Sequence, residues 1–209
     1  MQFKNNKKRN ITTANELRKR QRRFLSLTGL TKEEIRSKIL LRLKTQKEDI
    51  RDRKSRIIKN KLLRTKVFRK AKIVMFYIAF EDEVNTEEMI KEARKLNKII
   101  AVPVCEKNRI AIRPCKLDRN ASLKKGPYGV CEPTVKKSIS LKNIDLVIVP
   151  GVAFDKKGNR LGRGKGCYDR FLKTLPKDTP SIGLAFDFQI IPSVPSHKHD
   201  VSVDRLIFA

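Results

Sequence analysis

Five glycines and five basic residues fall between Gly151 and Gly166, within the run Pro150-Gly-Val-Ala-Phe-Asp-Lys-Lys-Gly-Asn-Arg160-Leu-Gly-Arg-Gly-Lys-Gly-Cys-Tyr-Asp-Arg170. Glycines permit positive φ and let backbone N–H groups come close to an anion. Arg160, Arg163 and Lys165 add side chains suited to charge-assisted hydrogen bonds with phosphate oxygens. A helix expected to open near Gly166 turns its positive end to the same place. The physics describes a phosphate cradle, with a flexible basic loop as the plainer alternative. A Walker A loop does not fit, because Asn159 stands where its first glycine belongs and Gly166 follows Lys165 in place of Ser or Thr. A dinucleotide fingerprint does not fit either, since Gly162, Gly164 and Gly166 are spaced G-x-G-x-G. Asp169 follows directly, and a carboxylate there is an ion-pair partner or a Mg²⁺ ligand. Lys32 and Arg36, one turn apart at the start of a predicted helix, repeat the theme. They oppose the helix dipole unless an anion sits at that end.

Those residues need elements to hold them. Thr31-x-x-Glu34 has capping-box spacing, and Ile35, Ile39 and Leu43 follow at intervals of four. A second helical pattern runs through Ile50, Ile57, Ile58, Leu62 and Val67. Ile73–Phe80 reads as a buried strand, and Asn85-x-x-Glu88 opens a helix with Met89, Ile90, Ala93 and Leu96 on its face. Further strands are expected at Ile99–Val104, Arg109–Arg113, Asp145–Val149, Ser181–Phe186 and Val201–Phe208, and a helix at Cys167–Leu175. Residues 114–140, rich in Pro and Gly, read as a long surface segment. The alternation implies an α/β fold, an open, mainly parallel sheet flanked by helices on both faces in three αβα layers. Ligands of such sheets bind at the carboxyl ends of the strands, so the turns after Phe80, Val104 and Val149 are where chemistry is expected.

At 209 residues the chain is long enough for one domain with a real core. Its 50 Lys/Arg against 22 Asp/Glu give a formal net charge of +28. Residues 1–30 carry nine basic side chains and only Glu16, so they read as a mobile basic arm ahead of a domain over 31–209. Such a field attracts polyanions. A nucleic-acid-binding protein on an α/β scaffold is therefore the competing class, though no C2H2 spacing, RNP pattern or heptad zipper accompanies the charge. No apolar run is long enough to span a membrane and no signal peptide is visible, so a cytoplasmic monomer is expected. Cys105, Cys115, Cys131 and Cys167 lack zinc-site spacing and read as reduced thiols.

A longer pattern encloses the glycine loop. Pro150-Gly-Val-Ala-Phe-Asp-x-x-Gly-x-Arg-Leu-Gly-x-Gly-x-Gly-x-Tyr-Asp-Arg-Phe is accompanied by Lys32-x-x-x-Arg36, by Phe76-Tyr77 through Glu83-Val84-x-Thr86, by Ala101-Val-Pro103, and by Pro195-x-x-x-His199-Asp200-x-x-Val203-Asp204. In order and spacing residues 31–209 resemble the 5-formyltetrahydrofolate cyclo-ligase, or 5,10-methenyltetrahydrofolate synthetase, family. The resemblance implies a Mg²⁺- and ATP-dependent cyclisation of 5-formyltetrahydrofolate. It implies that Lys32, Arg36, Arg160, Gly162, Arg163, Gly164, Lys165, Gly166 and Tyr168 hold ATP, with Arg163 and Lys165 stabilising the transferred phosphoryl group. It also implies that Asp169 and Asp200 hold Mg²⁺ and that Ile78 and Glu83 line the folate site. Tyr77 and Phe154 are candidates to pack on flat rings, with core packing as the alternative. Cys167 stands where the family usually shows an aromatic residue. His197 and His199, beside Asp200, read as solvent-exposed loop residues, because Mg²⁺ prefers oxygen ligands.

Overall fold

Helix α1 (Lys32–Lys44) opens on the capping box that its sequence predicts. The Thr31 hydroxyl accepts from the Glu34 N–H at 3.3 Å, and the Glu34 carboxylate accepts from the Thr31 N–H at 2.8 Å. The structure is a computed structural model and describes residues 29–80, 82–106, 111–126 and 129–209. All but two residues of the expected basic arm lie outside the described residues.

Helix α2 (Glu48–Leu63) follows, but the apolar pattern that predicts one helix through Val67 is broken. The Thr65 hydroxyl accepts from the Phe68 N–H and starts a separate helix, α3 (Lys66–Lys70). Within α2, Ile57 turns away from the face of its neighbour Ile58 and is 42% exposed, while Ile58 and Leu62 are buried. Strand β1 is Ile73–Met75, shorter than the apolar run that predicts it. Helix α4 is Glu87–Lys95, capped differently from expectation. Asn85 Oδ1 accepts from the Glu87 N–H, while Glu88 pairs with Lys91 instead of closing a box.

Strand β2 (Ile99–Glu106) and strand β3 (Ala111–Lys116) form an antiparallel pair. Residues 114–140, expected to be irregular, contain the end of β3 and a small antiparallel pair, β4 (Leu123–Lys125) and β5 (Cys131–Pro133). Strand β6 (Leu146–Val149) leads into a hairpin of β7 (Ala153–Asp155) and β8 (Arg160–Leu161). Then come helix α5 (Cys167–Thr174), strand β9 (Ser181–Ala185), strand β10 (Ile190–Ile191) and strand β11 (Arg205–Phe208).

The main sheet has the order β11-β9-β6-β1-β2-β3 and is parallel throughout except for β3. The fold is therefore the expected open, mainly parallel α/β sheet. Its layers are unequal. One face buries Val74, Ile100, Leu146 and Ile182 under Ile35, Ile58, Phe68 and Met89 from α1 to α4. The other buries Met75, Val147 and Val149 under Phe171 of α5 and under Phe154 and Ile190 of the three-stranded sheet β10-β7-β8. Among the described residues no helix is long and apolar enough to cross a membrane.

The β7–β8 hairpin turns at Gly158, whose φ is +87°. A Cβ there would lie 2.2 Å from the Val203 carbonyl oxygen, in a place where the Val203 N–H already bonds the Gly158 carbonyl. Gly158→Ala combines positive-φ strain with a backbone clash and is expected to cost about 2 kcal/mol or more. The urea unfolding midpoint measures it, with an unchanged slope marking an unchanged fold.

Candidate active site

A cavity of about 540 Å³ opens at the carboxyl ends of β1, β2 and β6. It is lined by the start of α1, by Ile78, Phe80 and Glu83 after β1, by Pro103, Cys105 and Ile112 of β2 and β3, by Val130, and by the run from Pro150 to Asp169 after β6. Asp200 completes the rim. Of the residues singled out in the sequence, Lys32, Arg36, Ile78, Glu83, Arg160, Gly162, Arg163, Gly164, Lys165, Gly166, Tyr168, Asp169 and Asp200 all face this one space.

Two do not. Tyr77 is buried below the cavity, with its hydroxyl donating to the Val84 carbonyl at 2.9 Å. Phe154 is fully buried on the second face of the sheet, in the cluster of Met75, Val147 and Phe171. Their rings are spent on packing, so the expected stacking on a flat ligand is corrected to a core role.

The loop is positioned by local chemistry. Asp155, 1% exposed, pins the hairpin turn: Oδ1 accepts from the Lys157 and Asn159 N–H groups and Oδ2 from Asn159 Nδ2 and the Val194 N–H. The chain then passes through Gly164 (φ 107°) and Gly166 (φ 61°), conformations that side chains resist. Gly166 is the N-cap of α5, so the helix start faces the cavity. Gly162 leaves room for Arg160, because a Cβ there would sit 2.9 Å from the guanidinium.

Lys32, Arg36, Arg160 and Arg163 each have a counter-ion or a carbonyl. Arg160 is nearly buried, bonds Asp169 Oδ1 at 2.9 Å and lies 5.6 Å from the Tyr168 ring. Lys32 bonds Asp200 Oδ2 at 2.5 Å, and Asp200 joins Glu33 and Glu34 in placing negative charge at the start of α1. Arg36 Nε donates to the Gly162 carbonyl at 2.9 Å and thereby ties α1 to the loop. Arg163 reaches across the cavity to Asp82 Oδ1 at 2.8 Å and Glu83 Oε1 at 3.3 Å. Asp82 carries no signal in the sequence beyond its place beside Glu83.

Two buried polar atoms at this wall, Arg160 Nε and Tyr168 Oη, lack a hydrogen-bond partner among the described residues. Both are donors, and a ligand rich in acceptors satisfies them. Burial, and then the Glu83 charge, push the Tyr168 hydroxyl well above its ordinary range, so it stays protonated. Burial likewise pushes the Cys105 thiol up to about 11. Burial raises the Glu83 carboxyl as well, although the Phe80 N–H and Arg163 pull the other way. Asp169 and Asp200 offer hard oxygens at the same cavity, which suits Mg²⁺ shared with phosphates. His197 and His199 are exposed, as expected, and the four cysteines are free.

Fold and site together define an α/β protein that presents a cation-lined, glycine-rich loop at the strand ends. Residues 29–209 match the model of the 5-formyltetrahydrofolate cyclo-ligase family, and the chain belongs to that family. It is 31% identical over 185 residues to the mouse 5-formyltetrahydrofolate cyclo-ligase, covering 83% of this chain and 91% of that one. The Haemophilus influenzae 5-formyltetrahydrofolate cyclo-ligase is 33% identical over 137 residues, or 64% of this chain and 73% of its own. The solved 5,10-methenyltetrahydrofolate synthetase of Aquifex aeolicus superposes with a TM-score of 0.75 at 32% identity, covering 86% of this chain and 90% of that chain. The chain is thus an enzyme of the ligase class.

Burial works against ionisation of Asp200, but Lys32 and the His197 N–H hold its carboxyl below the ordinary value of 3.8. The stability this contributes is present above the unfolded value and is lost as pH falls through the lowered one. Asp200→Asn is expected to cost roughly 0.5–1 kcal/mol at pH 7. Thermal unfolding from pH 7 to 3 should show the gap to wild type closing below about pH 4.

Proposed function

We propose that the protein cyclises 5-formyltetrahydrofolate to 5,10-methenyltetrahydrofolate at the expense of ATP. The observation that carries the reading is the single cavity in which the loop from Arg160 to Tyr168, the first turn of α1 and the Glu83 carboxylate meet. Membership of the cyclo-ligase family supports the same substrates.

Phosphoryl transfer asks a protein for positioning and charge stabilisation more than for covalent chemistry. Lys32, Arg36 and Arg160 hold the phosphates, with the backbone of Gly162–Gly166 and the start of α5 supplying N–H donors. Arg163 and Lys165 stabilise the γ-phosphoryl group as the formyl oxygen attacks it and ADP leaves. Phosphorylation turns the amide oxygen into a good leaving group. N10 then attacks the formyl carbon, loses its proton, and inorganic phosphate departs. Glu83 accepts hydrogen bonds from pterin donors, and Ile78 gives the ring an apolar wall. The Tyr168 hydroxyl, buried and protonated, donates to a ligand oxygen. Asp169 and Asp200 would hold Mg²⁺, which neutralises charge on the β- and γ-phosphates when bound.

Incubation with Mg²⁺, ATP and 5-formyltetrahydrofolate is expected to produce the near-ultraviolet absorbance of the methenyl product, and its absence would defeat this reading. Lys165 is exposed, so Lys165→Ala should leave the unfolding midpoint unchanged while lowering kcat by about 10²-fold or more.

A further inference from the structure

Arg163 belongs by position to the phosphate loop, yet its guanidinium sits on the opposite wall. It bonds Asp82 and Glu83 and lies 5.2 Å from the Phe80 ring. Asp82 is buried, at 7% exposure, and an ionised carboxylate that buried needs a cation beside it. Both oxygens of Glu83 are engaged: Oε1 accepts from Arg163 and Oε2 from the Phe80 N–H. A pterin donor seeking Glu83 therefore competes with Arg163 for Oε1. A γ-phosphoryl group seeking Arg163 competes with the two carboxylates. The two demands are complementary, because satisfying Glu83 with a pterin removes part of the grip on Arg163. Glycines on either side of Arg163, with Gly164 at φ 107°, leave the loop backbone free to let it swing.

We propose that Asp82 and Glu83 form an interlock on Arg163, which folate binding loosens so that the guanidinium turns to the phosphates. The inference rests on the ligase reading above. In it Asp82 is a positioning residue, acting through Arg163 without touching either substrate. The consequence is thermodynamic: folate and nucleotide bind with positive coupling, and the coupling is reciprocal.

Calorimetric titration of the full chain with a non-hydrolysable ATP analogue and Mg²⁺, with and without saturating 5-formyltetrahydrofolate, tests it. In wild type the folate should tighten the analogue by roughly fivefold or more, and the analogue should tighten the folate by the same factor. In Asp82→Asn, where Glu83 alone holds Arg163, the analogue should bind more tightly than in wild type when folate is absent, and the gain from folate should be smaller than in wild type. A protein in which Asp82 were merely structural would lose stability and keep the coupling. If Asp82→Asn does not fold, Arg163→Gln, at a side chain 42% exposed, carries the test: the coupling should vanish and the analogue should bind weakly throughout. Both ligands binding wild type with no mutual effect, or full coupling in the variants, would overturn the interlock alone. Failure of wild type to bind either ligand would overturn the ligase reading and the interlock with it.

Discussion

Five cations line one cavity, and unbalanced they would drive its walls apart. Like charges at about 10 Å repel by roughly 1–2 kcal/mol per pair at an effective dielectric near 20. The fold answers with carboxylates placed one by one. Asp200 meets Lys32, Asp169 meets Arg160, and Asp82 with Glu83 meets Arg163. Each pair is also a strut. Lys32 and Asp200 lie 168 residues apart, so their contact fixes the first turn of α1 against the C-terminal segment. Arg163 and Asp82, 81 residues apart, fix the loop against the segment after β1. The arrangement of the cavity's cations is therefore set by the protein's own anions, without any ligand.

That arrangement changes what ligand binding means. A triphosphate entering an empty ring of cations would gain the whole Coulomb energy, and the fold would carry the repulsion in its absence. On the proposed reading a phosphate would exchange with a carboxylate here, so affinity would be the difference between two good interactions. Binding energy would then be held in reserve for contacts made as charge moves during the proposed phosphoryl transfer. Arg160 is the exception that keeps the frame. Its guanidinium is nearly buried, its bond to Asp169 is internal, and Nε remains for a ligand.

Local signals made the sheet and the first helix legible. The Thr31–Glu34 box and the apolar runs at 99–104 and 145–149 each carry their information within a few residues. The β7–β8 hairpin was not legible, because its strands are only three and two residues long and its order comes from Asp155 accepting four hydrogen bonds. The members of the site were legible through one long motif and the shorter segments that accompany it, but their pairing was not. Nothing near Arg163 in sequence points to Asp82, and nothing near Lys32 points to Asp200. Tyr77 and Phe154 show the opposite failure: an aromatic beside a motif reads as a ligand contact until the core is seen to need it.

The same distinction separates the site from the chain's large positive charge. Residues 31–70 carry 16 basic and five acidic side chains, spread over α1 to α3 on one face of the sheet. Most of those side chains are exposed, whereas Lys32, Arg36 and Arg160 of the cavity are paired and partly buried. An exposed field of one sign acts at a distance and is screened by salt, so it accelerates the arrival of anions more than it strengthens their binding. The paired cations of the cavity act at contact, where screening is weak and geometry decides. Both substrates proposed for this site are anions, and the two charge populations would act on them in succession. On that reading the surface would set how often they arrive, and the cavity would set which of them, and in what company, is held.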